Sequence, residues 1–229
     1  MDEPAAGAVS AAHGRGLRGV ITDWGGVLTT PLPESVGAWL EADQIDKARY
    51  RQVMRGWIKQ AYGAGGAENP VHALERGEGD PAEFERTLAA ALVRTDGGAV
   101  PAAGLLRRMF RGMLAAPAMH DLMRALRRAG IRTCLLSNSW GTDDYPRDLF
   151  PELFDAWVIS AEVGMRKPEE RIFAFAADKI GLPPEQCVFI DDIAANVDAA
   201  EALGMAGVLH HDPVATTARL AGLLGLPLG

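Results

Sequence analysis

The chain has 229 residues, 48% hydrophobic and 23% charged, so it can form one large domain or a core domain with an insertion. Its formal net charge of −7 disfavours a nucleic-acid-binding protein, because such proteins usually present a basic face. No run reaches the roughly 18 apolar residues that a membrane span needs, and the acidic start Met1–Glu3 is unlike a signal peptide. We therefore expect a cytoplasmic protein that binds neither nucleic acid nor membrane, whereas its composition leaves its oligomeric state unknown.

Five apolar runs predict the strands of a sheet. Helical patterns separate the later runs, and residues that start or stop helices bound each pattern. The first pattern, for example, lies between Pro117 and Gly130. This alternation indicates an α/β fold with a parallel sheet and right-handed crossovers. Residues 1–16, rich in alanine and glycine, are predicted to be a disordered tail. The predicted strands cover residues 17–24, 131–137, 156–160, 186–191 and 206–210.

The interval between the first two strands is far longer than a crossover needs. Its patterns are helical, and glycine-rich stretches such as residues 63–66 separate them. We interpret this interval as an inserted helical subdomain that is placed to close over a site at the end of the first strand, as lids do. The alternative is an extension that only stabilises the fold. The predicted helices cover residues 36–40, 48–58 and 81–92.

The first strand ends in a carboxylate, that of Asp23, and a glycine turn follows at Gly25 and Gly26. In open α/β sheets, ligands bind at the carboxyl edge of the strands, which is where this layout places Asp23. Considered alone, Asp23 could equally be an ordinary turn residue. Its significance therefore depends on what the other strands bring to the same edge.

The acidic pair Asp191-Asp192 also ends an apolar strand. Carboxylates that converge on one point repel each other unless a cation lies between them. Together with Asp23, this pair would suit a hard, oxygen-binding ion such as Mg²⁺, which would align a phosphate for in-line attack. Asp23 would then attack phosphorus and form an aspartyl-phosphate.

Three further positions fit phosphate chemistry. A lysine at a helix start, such as Lys167, opposes the helix dipole unless an anion is near, although it can also be a solvated residue. Ser137 and Asn138 either cap the turn after their strand or bind phosphoryl oxygens. Asn196 lies one helical turn beyond Asp192 and could orient the acidic pair, whereas Arg166 is expected to face solvent.

In this order, Asp23, Ser137, Lys167 and Asp191-Asp192 match the four motifs of the haloacid dehalogenase superfamily, which residues 17–211 resemble. The strings at 163–169 and 189–196 are similar to its phosphatase subgroup, which includes sugar-1-phosphate phosphatases and the N-terminal phosphatase domain of soluble epoxide hydrolase. The resemblance implies a Rossmann-like, doubly wound core of residues 17–28 and 117–229, with a helical cap of residues 29–116. It also implies a Mg²⁺ site that includes the backbone carbonyl of Gly25.

Gly25 departs from the pattern of the family, whose phosphatases mostly carry a second aspartate at this position. That residue acts as general acid and base, which is typically worth about 10²–10⁴-fold in rate. Anomeric sugar phosphates and acyl phosphates would tolerate its loss better than alkyl phosphates, and some members of the subgroup also have glycine here. The insertion offers candidates for a substitute acid, although nothing in the sequence selects one and each is expected to be an ordinary surface residue: Glu75, Glu78, Asp80, His72 and Tyr62.

The sequence therefore predicts a Mg²⁺-dependent phosphatase acting on a small phosphorylated metabolite, with sugar phosphates among the candidates. Two alternatives remain: a catalytically weak phosphate-binding or regulatory protein, and a haloacid dehalogenase. The Asp191-Asp192 pair disfavours the dehalogenase, because two extra carboxylates would repel an anionic substrate. Trp140, close after Asn138, is expected near the mouth of the site.

Overall fold

The computed structural model describes residues 16–62, 69–141 and 145–228, with the backbone alone for residues 58–62. Five parallel strands form one sheet in the order β3-β2-β1-β4-β5, which confirms the predicted Rossmann-like α/β core. The predicted tail (apart from Gly16) and the glycine-rich stretch 63–66 lie outside the described residues. The strands are β1 (Gly19–Thr22), β2 (Arg132–Ser137), β3 (Ala156–Ile159), β4 (Cys187–Asp191) and β5 (Ala206–Leu209).

The helices fall into two groups along the chain. Between β1 and β2 lie α1 (Leu32–Ala42), α2 (Lys47–Tyr62), α3 (Pro70–Glu75), α4 (Pro81–Ala91), α5 (Leu105–Phe110) and α6 (Pro117–Arg128). After β2 come α7 (Phe150–Leu153), α8 (Ser160–Val163), α9 (Glu170–Lys179), α10 (Ala194–Ala202) and α11 (Pro213–Leu224). None of these helices is long and apolar enough, within the described ranges, to cross a membrane.

Both faces of the sheet are buried, which is why its strands read as continuous apolar runs. Alternate residues point to opposite sides: Val20 packs with the residues of α6, α7 and α11, whereas Ile21 packs with those of α9 and α10. Cys134 and Cys187 are buried and free, as expected for small core residues. The two apolar layers hold the central strand β1 rigidly, and with it the loop that follows.

Helices α1 to α5 share a separate hydrophobic cluster, which includes the fully buried Leu88 and Leu105. Two antiparallel segments connect it to the sheet, and within them Thr30 N donates to Leu114 O at 2.8 Å. Helices α3 and α5, which sequence patterns did not reveal, have six residues each and are too short for a clear period. The boundaries of a core at 17–28 and 117–229 and of a cap at 29–116 stay predictions.

Candidate active site

The carboxyl ends of three neighbouring strands carry the polar residues of the site. Strand β1 has β2 on one side and β4 on the other, so Asp23, Ser137 and Asp191 follow or end adjacent strands. The backbone N–H of Asp23 donates to the carbonyl of Ile190 at 2.9 Å, which fixes the first acidic residue beside β4. This is the edge of an open sheet at which the strand order reverses and ligands bind.

Three carboxylates meet there. Oxygen atoms of Asp23, Asp191 and Asp192 lie within 4.8 Å of one another, and the first two side chains are buried. Burial raises the pKa of Asp23; the ammonium of Lys167 lowers it, and the charge of Asp191 raises it again. Burial, together with Asp191, also raises the pKa of Asp192. The cluster therefore carries crowded negative charge that a cation would stabilise.

Lys167 lies between two of these carboxylates. Its Nζ is 2.8 Å from Asp23 Oδ1 and 2.6 Å from Asp191 Oδ2, and its side chain is 1% exposed. Burial alone would lower the pKa of Lys167, but Asp191 and Asp23 raise it above its ordinary value, so the lysine is charged. Helix α9 begins only at Glu170, so Lys167 lies just before the helix and not in its first turn.

Asn138 and Ser137 have different surroundings. The Asn138 side chain forms two hydrogen bonds with the backbone of Lys167: its Oδ1 accepts from Lys167 N at 2.9 Å, and its Nδ2 donates to Lys167 O at 3.1 Å. The Ser137 hydroxyl is 2.8 Å from the Tyr145 hydroxyl and lines the cavity beside Asp23. The amide therefore positions the lysine, while the hydroxyl faces the space where a phosphoryl group would lie.

Asp191 is fixed by several donors. Besides Lys167, Asn196 Nδ2 donates to its Oδ2 at 3.1 Å, and the N–H of Ile193 donates to its Oδ1 at 2.8 Å. The predicted orienting contact of Asn196 is thus present in the structure. Three carboxylates against one ammonium leave two formal negative charges, and all the donor atoms are hard oxygens, so this set fits a divalent ion such as Mg²⁺.

Two glycines follow Asp23, and their surroundings differ. A Cβ on Gly26, whose φ is 76°, would lie 2.2 Å from Asp192 Oδ2, so no larger residue fits here while Asp192 keeps its place. A Cβ on Gly25 would meet only the terminal methyl of Met113, at 3.2 Å. Gly26 is therefore required by close approach, whereas a Cβ at position 25 would need only a small shift of the flexible end of Met113.

A cavity of about 570 Å³ opens over these residues. Its wall includes Asp23, Lys167 and Asp192 together with aromatic and aliphatic side chains. Trp140 belongs to this wall and packs against Phe110 with ring centroids 5.6 Å apart, as expected for a residue near the mouth of the site.

Arg166 and Glu75 correct two expectations. Arg166 does not face solvent: it is buried, and its Nε donates to Glu75 Oε2. Glu75 is likewise buried instead of lying on the surface, and burial raises its pKa while Arg166 lowers it. Beside them, Arg76 Nε donates to Glu169 at 2.8 Å. The sequence did not reveal these contacts because α3, which brings Glu75 and Arg76 to the segment before α9, is too short to recognise.

The other candidate acids lie elsewhere. Glu78 and Asp80 are exposed, and Asp80 Oδ1 accepts from the N–H of Ala82 at the start of α4. His72 is partly buried, and burial, with the charges of Arg166 and Arg76, lowers its pKa to about 4. The side chain of Tyr62 lies outside the described part of the chain.

Sequence reasoning missed His120 and Tyr145, which both line the cavity. His120 Nε2 is 2.9 Å from the Leu28 carbonyl, and its ring centroid lies 5.8 Å from that of Trp24. The signal in the sequence for His120 was a polar residue next to Met119, on the apolar face of α6. Such a histidine is usually a core residue, so the pattern alone did not single it out.

Comparison with solved structures supports the fold. A haloacid dehalogenase family enzyme from Bacteroides thetaiotaomicron, crystallised with magnesium and inorganic phosphate, superposes with a TM-score of 0.59. The two proteins are 22% identical, and the match covers 85% of this chain and 94% of that one. At this identity the likeness extends to the fold alone.

Sequence comparisons identify the family. Bifunctional epoxide hydrolase 2 of Mus musculus is 26% identical over 223 residues, which cover 91% of this chain but only 39% of the mouse protein. The sesquiterpene phosphatase astK of Aspergillus oryzae is 34% identical over 110 residues, covering 47% of this chain and 56% of astK. A family model described as haloacid dehalogenase-like hydrolase matches residues 17–204. The chain belongs to the haloacid dehalogenase-like hydrolase family.

Proposed function

We propose that this hydrolase is a Mg²⁺-dependent phosphatase that acts on a small phosphorylated compound through an aspartyl-phosphate on Asp23. The observation that carries the proposal is the cluster of Asp23, Asp191 and Asp192 within 4.8 Å of one another, with Lys167 between two of them. The hydrolase family and the similarity to astK, a sesquiterpene phosphatase, support the same chemistry. Residues 29–116 would serve as the cap that covers the site.

Each residue has a role in this proposal. A Mg²⁺ ion held by Asp23, Asp192, Asp191 and the carbonyl of Gly25 would offset the charge of the phosphate. Lys167 binds a phosphoryl oxygen as a fixed cation, because Asn138 and the two carboxylates hold both its ends. Ser137 donates its hydroxyl to another phosphoryl oxygen. One carboxylate oxygen of Asp23 attacks phosphorus, and the bond to the leaving oxygen breaks.

A catalytically weak phosphate-binding protein is the second candidate, and one observation favours it. Position 25 holds glycine, although a Cβ there would meet only the flexible end of Met113, so the usual group for proton transfer is missing. A haloacid dehalogenase fits less well, because the substrate of such an enzyme is an anion. The negative charge of Asp192 would lie beside it with no metal ion to offset the repulsion. The two leading candidates differ in turnover: the phosphatase releases phosphate repeatedly, whereas the binding protein does not.

The first test is phosphate release from a panel of phosphorylated metabolites, with Mg²⁺ and with EDTA. We expect multiple turnovers with at least one compound in Mg²⁺ and none in EDTA, because the carboxylates would repel the dianionic substrate without the metal. Folded protein that binds Mg²⁺ but releases no phosphate from any compound would contradict the phosphatase and favour the binding protein.

A second prediction concerns the close approach of Gly26 to Asp192. We expect Gly26→Ala to weaken Mg²⁺ binding by about 10–100-fold, since the new Cβ would displace the Asp192 carboxylate. Isothermal titration with Mg²⁺ measures this change directly, without a substrate.

Gly97→Ala is the matched control for this variant. Gly97 has nearly the same φ of 80°, but nothing lies within 4 Å of its Cβ position. Both variants therefore carry a similar backbone cost of roughly 1–2 kcal/mol, whereas only Gly26→Ala should affect the metal. Equal Mg²⁺ affinities in the two variants would show that Asp192 is not a metal ligand.

A further inference from the structure

We propose that the substrate is an apolar aryl phosphate, an inference that rests on the proposed phosphatase function. The leaving group of such an ester departs as a stable anion without receiving a proton. Two independent features of the cavity lead to this class. Most of the surface exposed in the cavity is apolar, and the group that would protonate a leaving oxygen is absent from position 25.

The first feature is the composition of the wall. Apolar and aromatic side chains contribute most of the surface exposed in the cavity, beside polar side chains such as Thr29 and Ser139. They come from the helical insertion and from the segments that follow β1 and β2, so they would enclose the organic part of a substrate. They include Trp24, Leu32, Phe110, Met113, Trp140 and Leu149.

Several polar side chains of the wall already have partners within the protein. Tyr145 is bonded to Ser137, His120 to the carbonyl of Leu28, and Glu75 to Arg166. A sugar would have to bury several hydroxyl groups beside the apolar part of the wall, and each hydroxyl without a partner costs about 1–3 kcal/mol. A planar apolar ring would incur no such cost and would stack on the aromatic wall.

The second feature is the neighbourhood of Gly25. The Cβ position of this residue faces the methyl of Met113, which has no proton to donate. Burial raises the pKa of Tyr145 to about 12, so its hydroxyl is a weak acid, and it is already bonded to Ser137. Of the other ionisable side chains that line the cavity, Glu75 is paired with Arg166, and His120 Nε2 is bonded to the carbonyl of Leu28. A leaving group that needs no proton therefore suits this wall.

The two steps of the reaction balance without an acid at position 25. Asp23 forms a bond to phosphorus, the bond from phosphorus to the aryl oxygen breaks, and its electron pair leaves with the aryl oxide. Water then attacks phosphorus, the Asp23 carboxylate departs, and both protons of the water remain on the phosphate as dihydrogen phosphate. The aryl oxide takes its proton from solvent after release.

The experiment compares two apolar six-carbon rings of similar size, phenyl phosphate and cyclohexyl phosphate, with Mg²⁺. Phenol has a pKa near 10, as in tyrosine, whereas an alcohol is a far weaker acid, similar to water. We expect kcat/KM for phenyl phosphate to exceed that for cyclohexyl phosphate by about 10²–10⁴-fold, the range that a general acid would otherwise supply.

Two variants test the cause of this difference. Gly25→Asp supplies the missing acid, and its Cβ would meet only the flexible end of Met113. It should raise kcat/KM for cyclohexyl phosphate toward that for phenyl phosphate. Gly25→Asn fills the same space without an acidic proton, so the ratio between the two esters should stay that of the unmodified protein.

The results separate this inference from the phosphatase proposal. Similar rates for the two rings in the unmodified protein would overturn the inference, since a proton would then come from another residue. A preference for glucose 1-phosphate over phenyl phosphate would also overturn it, because the apolar wall would not be selecting the substrate. In both cases the phosphatase would stand. The lack of Mg²⁺-dependent release from all three esters would likewise overturn this inference, whereas only the lack of release from the whole metabolite panel would contradict the phosphatase.

Discussion

Replacement of Asp23 by asparagine is expected to abolish turnover, lowering kcat by about 10⁶-fold, as removal of an enzyme's nucleophile can. Asparagine keeps the size of the side chain but cannot attack phosphorus as a carboxylate does. The same variant should form no phosphoenzyme. Acid-quenched samples examined by mass spectrometry should carry a phosphoryl group on Asp23 in the unmodified protein and on no residue of the variant.

A matched control isolates the effect of this position. Asp178→Asn makes the same chemical change at an exposed residue of α9 and should leave turnover and phosphoenzyme formation unchanged. Since Asp23 contacts Lys167, the folded state of the variant must also be verified by circular dichroism. Turnover by Asp23→Asn within tenfold of the unmodified protein would exclude Asp23 as the nucleophile.

The sheet and the acidic cluster could be predicted because they depend on local signals. Each strand is a short apolar run buried on both faces, and Asp23, Asp191 and Asp192 come at the ends of such runs. In a parallel sheet these ends meet at one edge, so the chain order alone brings the three carboxylates together. Packing then only adjusts their spacing.

The wall of the cavity could not be predicted in the same way. Glu75 and Arg166 are 91 residues apart, and their contact exists only because the short helix α3 packs near the start of α9. The position of Met113 beside Gly25 likewise depends on how the segment after α5 returns to the sheet. Such contacts join an insertion to a sheet and leave no periodic pattern in the sequence.

These unpredicted contacts bear on specificity more than on chemistry. Conserving the acidic cluster while changing the wall would keep phosphoryl transfer and alter the organic group that is accepted. In this chain aromatic and aliphatic side chains, among them Met113 and Trp140, form much of the wall. The proposed preference for an aryl phosphate rests on these residues, whereas the resemblance to phosphatases of sugar phosphates rests on the motif residues.

Lys167 provides the second large effect. We expect Lys167→Met to lower kcat/KM by about 10²–10³-fold, because the variant loses a fixed cation that binds the phosphoryl group as its charge shifts in the transition state. The buried carboxylates of Asp23 and Asp191 would also lose their shared partner, which should reduce the free energy of unfolding by about 3 kcal/mol. Steady-state kinetics in saturating Mg²⁺ and urea unfolding measure the two effects separately.

Lys47→Met is the control, since Lys47 forms an exposed ion pair with Glu41 and neither residue lines the cavity. It should change neither kinetics nor unfolding, because exposed pairs are screened by solvent. If Lys167→Met lost stability but kept its kcat/KM, the lysine would only compensate the buried carboxylates. If the variant instead lost both stability and kcat/KM but kept its affinity for Mg²⁺, Lys167 would be assigned to binding of the phosphoryl group. A purely structural role would weaken the binding of the substrate and of the metal alike.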